Sequence, residues 1–249
     1  MSELIQTNDE LLLVDDQSPI ISIHNLSKKY GNKLALNEVN LNLRPGRIIG
    51  LLGPNGSGKT TLMKILTGLI HDYKGEVTIN GSNIGAYTKS IVSFLSDEPY
   101  FPKWMLIEDA LHIYEDFYPD FDMEKALRLL KDMGLNPKMR IKSLSKGMYE
   151  KCLLVLCMSR NALVYVLDEP IAGVDPAARE VILDTILKNY NENGLILLST
   201  HLVKDIERIF DEVVFIKEGN VVLQGNADEL RASENKSIDD LFIEVFRNA

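Results

Sequence analysis

Hydrophobic positions along the chain follow two periods, and the change from one to the other maps its organisation. Between residues 20 and 84 they fall in short β-type segments (Ile20 to His24, Leu36 to Leu43, Gly75 to Asn80) with turn-forming residues between them. One interruption breaks this pattern: the apolar run Arg47-Ile48-Ile49-Gly50-Leu51-Leu52 passes through a Gly-rich segment into helical spacing from Lys59 to Leu69. Residues 103–160 then carry helical spacing and few β signals, which predicts helices over Trp104 to Tyr118, Met123 to Met133 and Ser145 to Arg160. Strand and helix patterns alternate afterwards, over Ala162 to Asp168, Pro176 to Tyr190, Gly194 to Thr200 and Leu202 to Phe210. A hairpin from Glu212 to Leu223, turning at Glu218-Gly219-Asn220, and a last helix from Ile238 to Phe246 complete the pattern. Such alternation builds a parallel sheet, so the predicted architecture is α/β: a parallel-sheet core, an antiparallel β subdomain and an inserted helical lobe.

Composition narrows the class. The chain has 249 residues, 45% of them hydrophobic, enough to bury one sizeable core. Residues 1–19 hold Glu3, Asp9, Glu10, Asp15 and Asp16 without a basic residue and read as an acidic extension. The expected division is one domain over 20–249, with 20–98 and 161–249 as its core and 99–160 as the helical lobe. The longest apolar stretches, Cys152 to Met158 and Gly194 to Leu198, fall far short of the ~20 residues that cross a bilayer. Met1-Ser2-Glu3 does not begin a signal peptide. The expectation is a cytoplasmic chain with no span of its own, whose membrane role runs through a partner. A formal charge of −9 argues against nucleic acid as the main ligand. Cys152 and Cys157 lie within one apolar helical pattern and read as buried, inert thiols.

The chemistry concentrates in the Gly-rich interruption. Gly53-Pro54-Asn55-Gly56-Ser57-Gly58-Lys59-Thr60 is a full GxxxxGK[ST] phosphate-binding loop between a strand and a helix, with Thr61 following. Small residues let backbone N–H groups face phosphate oxygens while the helix start adds its positive dipole end. Lys59 would reach the β- and γ-phosphates of a nucleoside triphosphate, and the Thr60 hydroxyl would ligate Mg²⁺. The buried-strand run Leu163 to Leu167 ends in Asp168 and Glu169, and ligands of a parallel sheet sit at strand carboxyl ends. Asp168 is placed to hold Mg²⁺ through water, and Glu169 to deprotonate a water attacking the γ-phosphate. Asp175 can cap the helix that Pro176 opens, and His201 ends a third strand converging on the same phosphates.

With these motifs in this order, the chain resembles the ATP-binding cassette (ABC) ATPases over residues 21–230. The Leu-Ser-Gly-Gly-Gln type signature stands as Leu144-Ser145-Lys146-Gly147-Met148: Ser145 and the second glycine are kept, while Lys146 and Met148 replace Gly and Gln. The resemblance implies a P-loop NTPase core binding ATP and Mg²⁺. It also implies that Tyr30 stacks on adenine, that Asp175 links two sites across a dimer, and that His201 contacts the γ-phosphate. In such head-to-tail dimers each ATP lies between one copy's phosphate loop and the other's signature segment. One position departs: where the family carries glutamine after the strand from Ile91 to Leu95, this chain has Asp97, which is shorter and anionic and is expected to reach the metal still. Tyr100, Phe101, Trp104, Tyr114, Phe117, Tyr118 and Phe121 crowd the region beyond it, and some of Tyr100, Phe101 and Trp104 are expected to line a groove for a membrane subunit.

The functional expectation is the ATP-hydrolysing subunit of an ABC transporter, with export favoured over import. The Ser-Lys-Gly-Met segment looks like bacterial exporters, and the cassette ends soon after its final helix. Its partners would be transmembrane permease subunits and a second cassette, identical or not. Two other readings share the motifs: an ABC ATPase acting on soluble partners, and an ATP-gated scaffold that dimerises with little turnover.

Overall fold

The computed structural model describes residues 18–247, so nearly all of the acidic 1–19 segment lies outside the described residues. Two sheets are built from β1 (Ile21–Tyr30), β2 (Lys33–Leu43), β3 (Arg47–Leu52), β4 (Lys74–Ile79), β5 (Ser82–Asn83), β6 (Val92–Leu95), β7 (Val164–Asp168), β8 (Leu195–Thr200), β9 (Glu212–Lys217) and β10 (Asn220–Asn226). The first is antiparallel, in the order β2-β1-β4-β5; the second runs β10-β9-β3-β8-β7-β6 and is parallel from β9 to β6. The helices are α1 (Lys59–Leu66), α2 (Ala86–Ile91), α3 (Ile107–Phe117), α4 (Met123–Asp132), α5 (Lys146–Met158), α6 (Pro176–Asn189), α7 (Val203–Ile206), α8 (Ala227–Glu234) and α9 (Ile238–Phe246).

The period-two alternation of the central strands divides the core in two. Ile49 and Leu51 of β3, Val164 and Val166 of β7, and Leu195 and Leu197 of β8 pack towards α1 and the antiparallel sheet. Their neighbours Ile48, Leu52, Tyr165, Leu167, Ile196 and Leu198 face the opposite layer, where α3 to α6 and α9 lie. Both faces are covered, which is why these strands read as continuous apolar runs. Cys152 and Cys157 of α5 are fully buried, and burial pushes their thiols up to about 12 and about 11.

The structure moves several predicted boundaries. β1 reaches Tyr30 because register shifts, with Asn25 at φ +50°, carry it past the interrupted alternation. Ile91 closes α2, so the strand there starts at Val92. The helix expected over Leu202 to Phe210 is a single turn followed by a 3-10 turn. α2 and α8 are short helices absent from the sequence reading. α8 buries Ala227, packs Leu230 on the core and is capped by Asn226, so its apolar stripe is only two residues long.

Arg160 fastens the helical layer to the sheet edge. It is 1% exposed, pairs with Asp120 at 2.9 and 3.1 Å, donates to the carbonyls of Val92 (2.7 Å) and Ser90, and stacks on Tyr118 at 3.8 Å. Breaking a buried pair strands the remaining partners, though Asp120 keeps some access to water. Arg160→Met is therefore expected to cost about 3 kcal/mol, measured as a lower urea midpoint; an unchanged midpoint would contradict the fastening role.

Candidate active site

The loop after β3 is shaped by its glycines. A Cβ on Gly53 would lie 2.4 Å from the Ile216 carbonyl oxygen, and one on Gly58, at φ +116°, would lie 2.6 Å from that of Ala35. Gly58 is the N-cap of α1 and has no side chain to offer, so the first-turn N–H groups stay available to an anion. Lys59 is buried and folds back over the loop, donating to the carbonyls of Gly53 (2.7 Å) and Pro54 (3.2 Å). Its ammonium stands 4.0 Å from a Glu169 oxygen. Burial lowers its pKa, while Glu169 and Asp168 pull the other way.

Parallel register brings the other groups to the same end of the sheet. Leu52 pairs with Thr200, Asp168 with Ser199, and Leu95 with Leu167, so Gly53, Glu169, His201 and the Ser96-Asp97 segment follow strand ends that lie side by side. Asp168 is 1% exposed; one carboxylate oxygen accepts from the Ser199 hydroxyl, and the other is buried with no hydrogen-bond partner among the described residues. Glu169 adopts φ +51°, an uncommon conformation that its N–H secures by donating to the Ser199 hydroxyl (3.0 Å) and carbonyl (3.2 Å). Its carboxylate lies 2.9 and 3.0 Å from His201 Nδ1. Ser199 thus orients both acids. It escapes the sequence reading because, inside an apolar strand, it looks like one more buried position.

Two adjoining cavities, of about 650 and 220 Å³, share Asn55, Gly56, Thr60, Asp97 and Glu169. The larger also takes in Asp168, His201 and Lys146; the smaller takes in Tyr30, Lys59, Thr61 and Lys33. Tyr30 is 49% exposed, with the Lys28 ammonium 4.9 Å from its ring. Asp97 has its carboxyl pushed up by burial, then by Asp168 and by Glu98. Lys33 is a further cation of this cleft; in the sequence it is indistinguishable from a solvated turn lysine.

Among the described residues no three His, Cys, Asp or Glu side chains gather around one point as a metal cage. The donors suit Mg²⁺ all the same. The orphaned Asp168 oxygen, the Thr60 hydroxyl and Asp97 line one cavity and are hard oxygens, and Mg²⁺ takes few protein ligands beside substrate phosphates and water.

The signature segment lies differently. Ser145 is exposed and caps α5 by accepting from the Met148 N–H at 3.2 Å, while a Cβ on Gly147 would meet nothing within 4 Å. Leu144 and Met148 pack on the core, and Lys146, 3.8 Å from Glu150, is the one residue of the five that lines the cavity. Asp175 caps α6 through the Ala178 N–H at 3.0 Å and is exposed.

The ABC transporter family model matches residues 36–172, more than half of the chain. The chain belongs to the ABC transporter family. It is 30% identical over 225 residues to the lantibiotic transport ATP-binding protein SrtF of Streptococcus pyogenes, covering 90% of this chain and 96% of that one. The Nod factor export ATP-binding protein I of Burkholderia orbicola is 31% identical over 222 residues, covering 86% of this chain and 73% of the relative. A solved ATP-binding subunit of an ABC transporter shares the fold with a TM-score of 0.81 at 26% identity, covering 90% of this chain and 98% of that one. This chain is accordingly an ATP-binding, ATP-hydrolysing cassette of the P-loop NTPase fold.

Because a side chain at Gly58 collides with backbone, Gly58→Ala must displace the loop. ATP affinity is expected to fall at least about tenfold by calorimetric titration; wild-type affinity would contradict the close approach.

Proposed function

We propose that this cassette drives an ABC exporter and that ATP closes it against a second cassette. The observation that carries the proposal is the division of the site: the phosphate loop, both acids and His201 share one cleft, whereas Ser145 and Gly147 at the start of α5 face open space. On this reading, Ser145, Lys146 and Gly147 close over the γ-phosphate held by the other cassette, and Asp175 links the two sites. Residues 20–98 with 161–249 then act as the nucleotide-binding core and 99–160 as the helical lobe. The word "export" in the Burkholderia relative's name and the Ser-Lys-Gly-Met segment favour the outward direction.

Within the cleft, Tyr30 stacks on the base, and the Lys59 ammonium exchanges its two loop carbonyls for the β- and γ-phosphates. Thr60, Asp168 and Asp97 hold Mg²⁺, which supplies charge neutralisation at the transferring phosphoryl group. Glu169, with its oxygens held by His201, takes the proton of the attacking water, and His201 also contacts the γ-phosphate. Hydrolysis removes the anion that joins the halves, and they part.

No described helix is long and apolar enough to cross a membrane. On the proposed reading, coupling runs through permease subunits on the cytoplasmic face. A further cavity of about 610 Å³, lined by Phe94, Tyr100, Tyr114 and Tyr118, suits a short cytoplasmic helix of such a subunit. Of the three aromatics expected there, Tyr100 lines this cavity, Phe101 packs on the core, and Trp104, 66% exposed, is not among its lining.

Glu169→Gln should lower turnover at least about a hundredfold and accumulate an ATP-dependent dimer on size exclusion. Continued hydrolysis would remove Glu169 as base, and an ATP-loaded monomer would count against closure on a second cassette. Asp97→Ala should raise the Mg²⁺ concentration needed for half-maximal turnover; an unchanged requirement would remove Asp97 from the metal.

A further inference from the structure

The segment that carries Asp97 joins β6 to α3 with no helix or strand between residues 96 and 105. Its position next to the phosphate loop must come from side chains. Lys64 of α1 holds Glu98 at 3.0 Å, and Ser96 accepts from the Glu98 N–H at 3.1 Å. Past Pro99, the next two backbone N–H groups, of Tyr100 and Phe101, both donate to one atom: the Tyr149 hydroxyl oxygen, at 3.2 and 3.3 Å. Tyr149 belongs to the first turns of α5, and its own N–H donates to the Ser145 carbonyl at 2.9 Å. Its side chain lines the larger cavity together with Asp97. One phenol oxygen therefore joins the Asp97 segment to the turn that presents Ser145.

The joint is extended on the other side. The Tyr100 hydroxyl pairs with that of Tyr114 at 3.0 Å, Tyr114 packs on Tyr118 with ring centres 5.2 Å apart, and Tyr118 stacks on Arg160. The wall of the 610 Å³ cavity thus runs through hydroxyl and ring contacts to Tyr149.

We propose that Tyr149 is a positioning residue for ATP hydrolysis: its hydroxyl holds the Asp97 segment in place beside the phosphate loop and ties it to the start of α5. The geometry favours this over plain packing. A ring alone would fill the space, but it would leave the two N–H groups without their protein partner and the segment without its second anchor. The proposal rests on the reading of Asp97 as a magnesium contact, and the test separates the two.

Tyr149→Phe keeps the ring and deletes the oxygen, so the full chain is expected to fold. Amide exchange of residues 98–105 in the nucleotide-free protein should speed up. The kcat for ATP should fall about three- to tenfold, with KM for ATP within about twofold and a raised Mg²⁺ requirement. Unchanged exchange would overturn the anchoring, and faster exchange with unchanged kcat and Mg²⁺ requirement would overturn the role in hydrolysis. Asp97→Ala is the reference. If it leaves turnover intact while Tyr149→Phe lowers kcat, Tyr149 stands as a positioning residue and the Asp97 reading fails on its own.

Discussion

Parallel pairing of β6, β7, β8 and β3 in matched register is the constraint on which the site depends. Side chains that are far apart in sequence become neighbours because their strands stop together, with Asp168 beside Ser199 and Leu52 beside Thr200. A one-residue slip of β7 or β8 would exchange the two faces of that strand, moving Leu167 or Leu198 out of the layer they share with α5 and α6. The apolar cores on both faces thus fix register, and register fixes the distances among Lys59, Asp168, Glu169 and His201. Glu169 lies on the turn leaving the sheet, and the Ser199 hydroxyl and carbonyl hold its strained backbone.

Electrostatics explains why the cleft suits a phosphate that brings a cation with it. Asp168 and Glu169, with Asp97 at the cavity wall, place several carboxylates close together in a partly desolvated space. Lys59 answers part of that charge from 4.0 Å while its remaining protons are occupied by loop carbonyls. A phosphate accompanied by a divalent cation satisfies both sides: the cation takes the carboxylates, including the orphaned Asp168 oxygen, and the anion takes Lys59 and the start of α1. In the proposed mechanism the triphosphate binds as its magnesium complex, and the acids that would repel a bare phosphate become part of its site.

Much of this was legible in the sequence because it rests on local grammar. The Gly53–Thr60 loop, the apolar strand ending in Asp168-Glu169 and the capped starts of α5 and α6 each announce themselves by residue type and spacing, and the structure brings the loop, the acids and His201 into one cleft. What stayed hidden is carried by single contacts between distant segments. Ser199 and Tyr149 look like an ordinary strand serine and an ordinary helix tyrosine, and nothing in their neighbours tells which backbone groups they will meet. α8 gives little signal because a capped helix with only Ala227 and Leu230 against the core has too short an apolar period. Family membership follows from the motif order, whereas the metal contact of Asp97 and the partner of Ser145 belong to the proposed mechanism.

In the proposed mechanism this cleft is half of a site completed by the signature segment of a second cassette. A crystal structure of the Glu169→Gln protein with Mg²⁺ and ATP is the decisive measurement. The phosphates are expected in the Gly53–Thr60 loop, with Ser145 and Gly147 of a second cassette against the γ-phosphate. A nucleotide enclosed by one chain alone, with Ser145 still facing solvent, would contradict it.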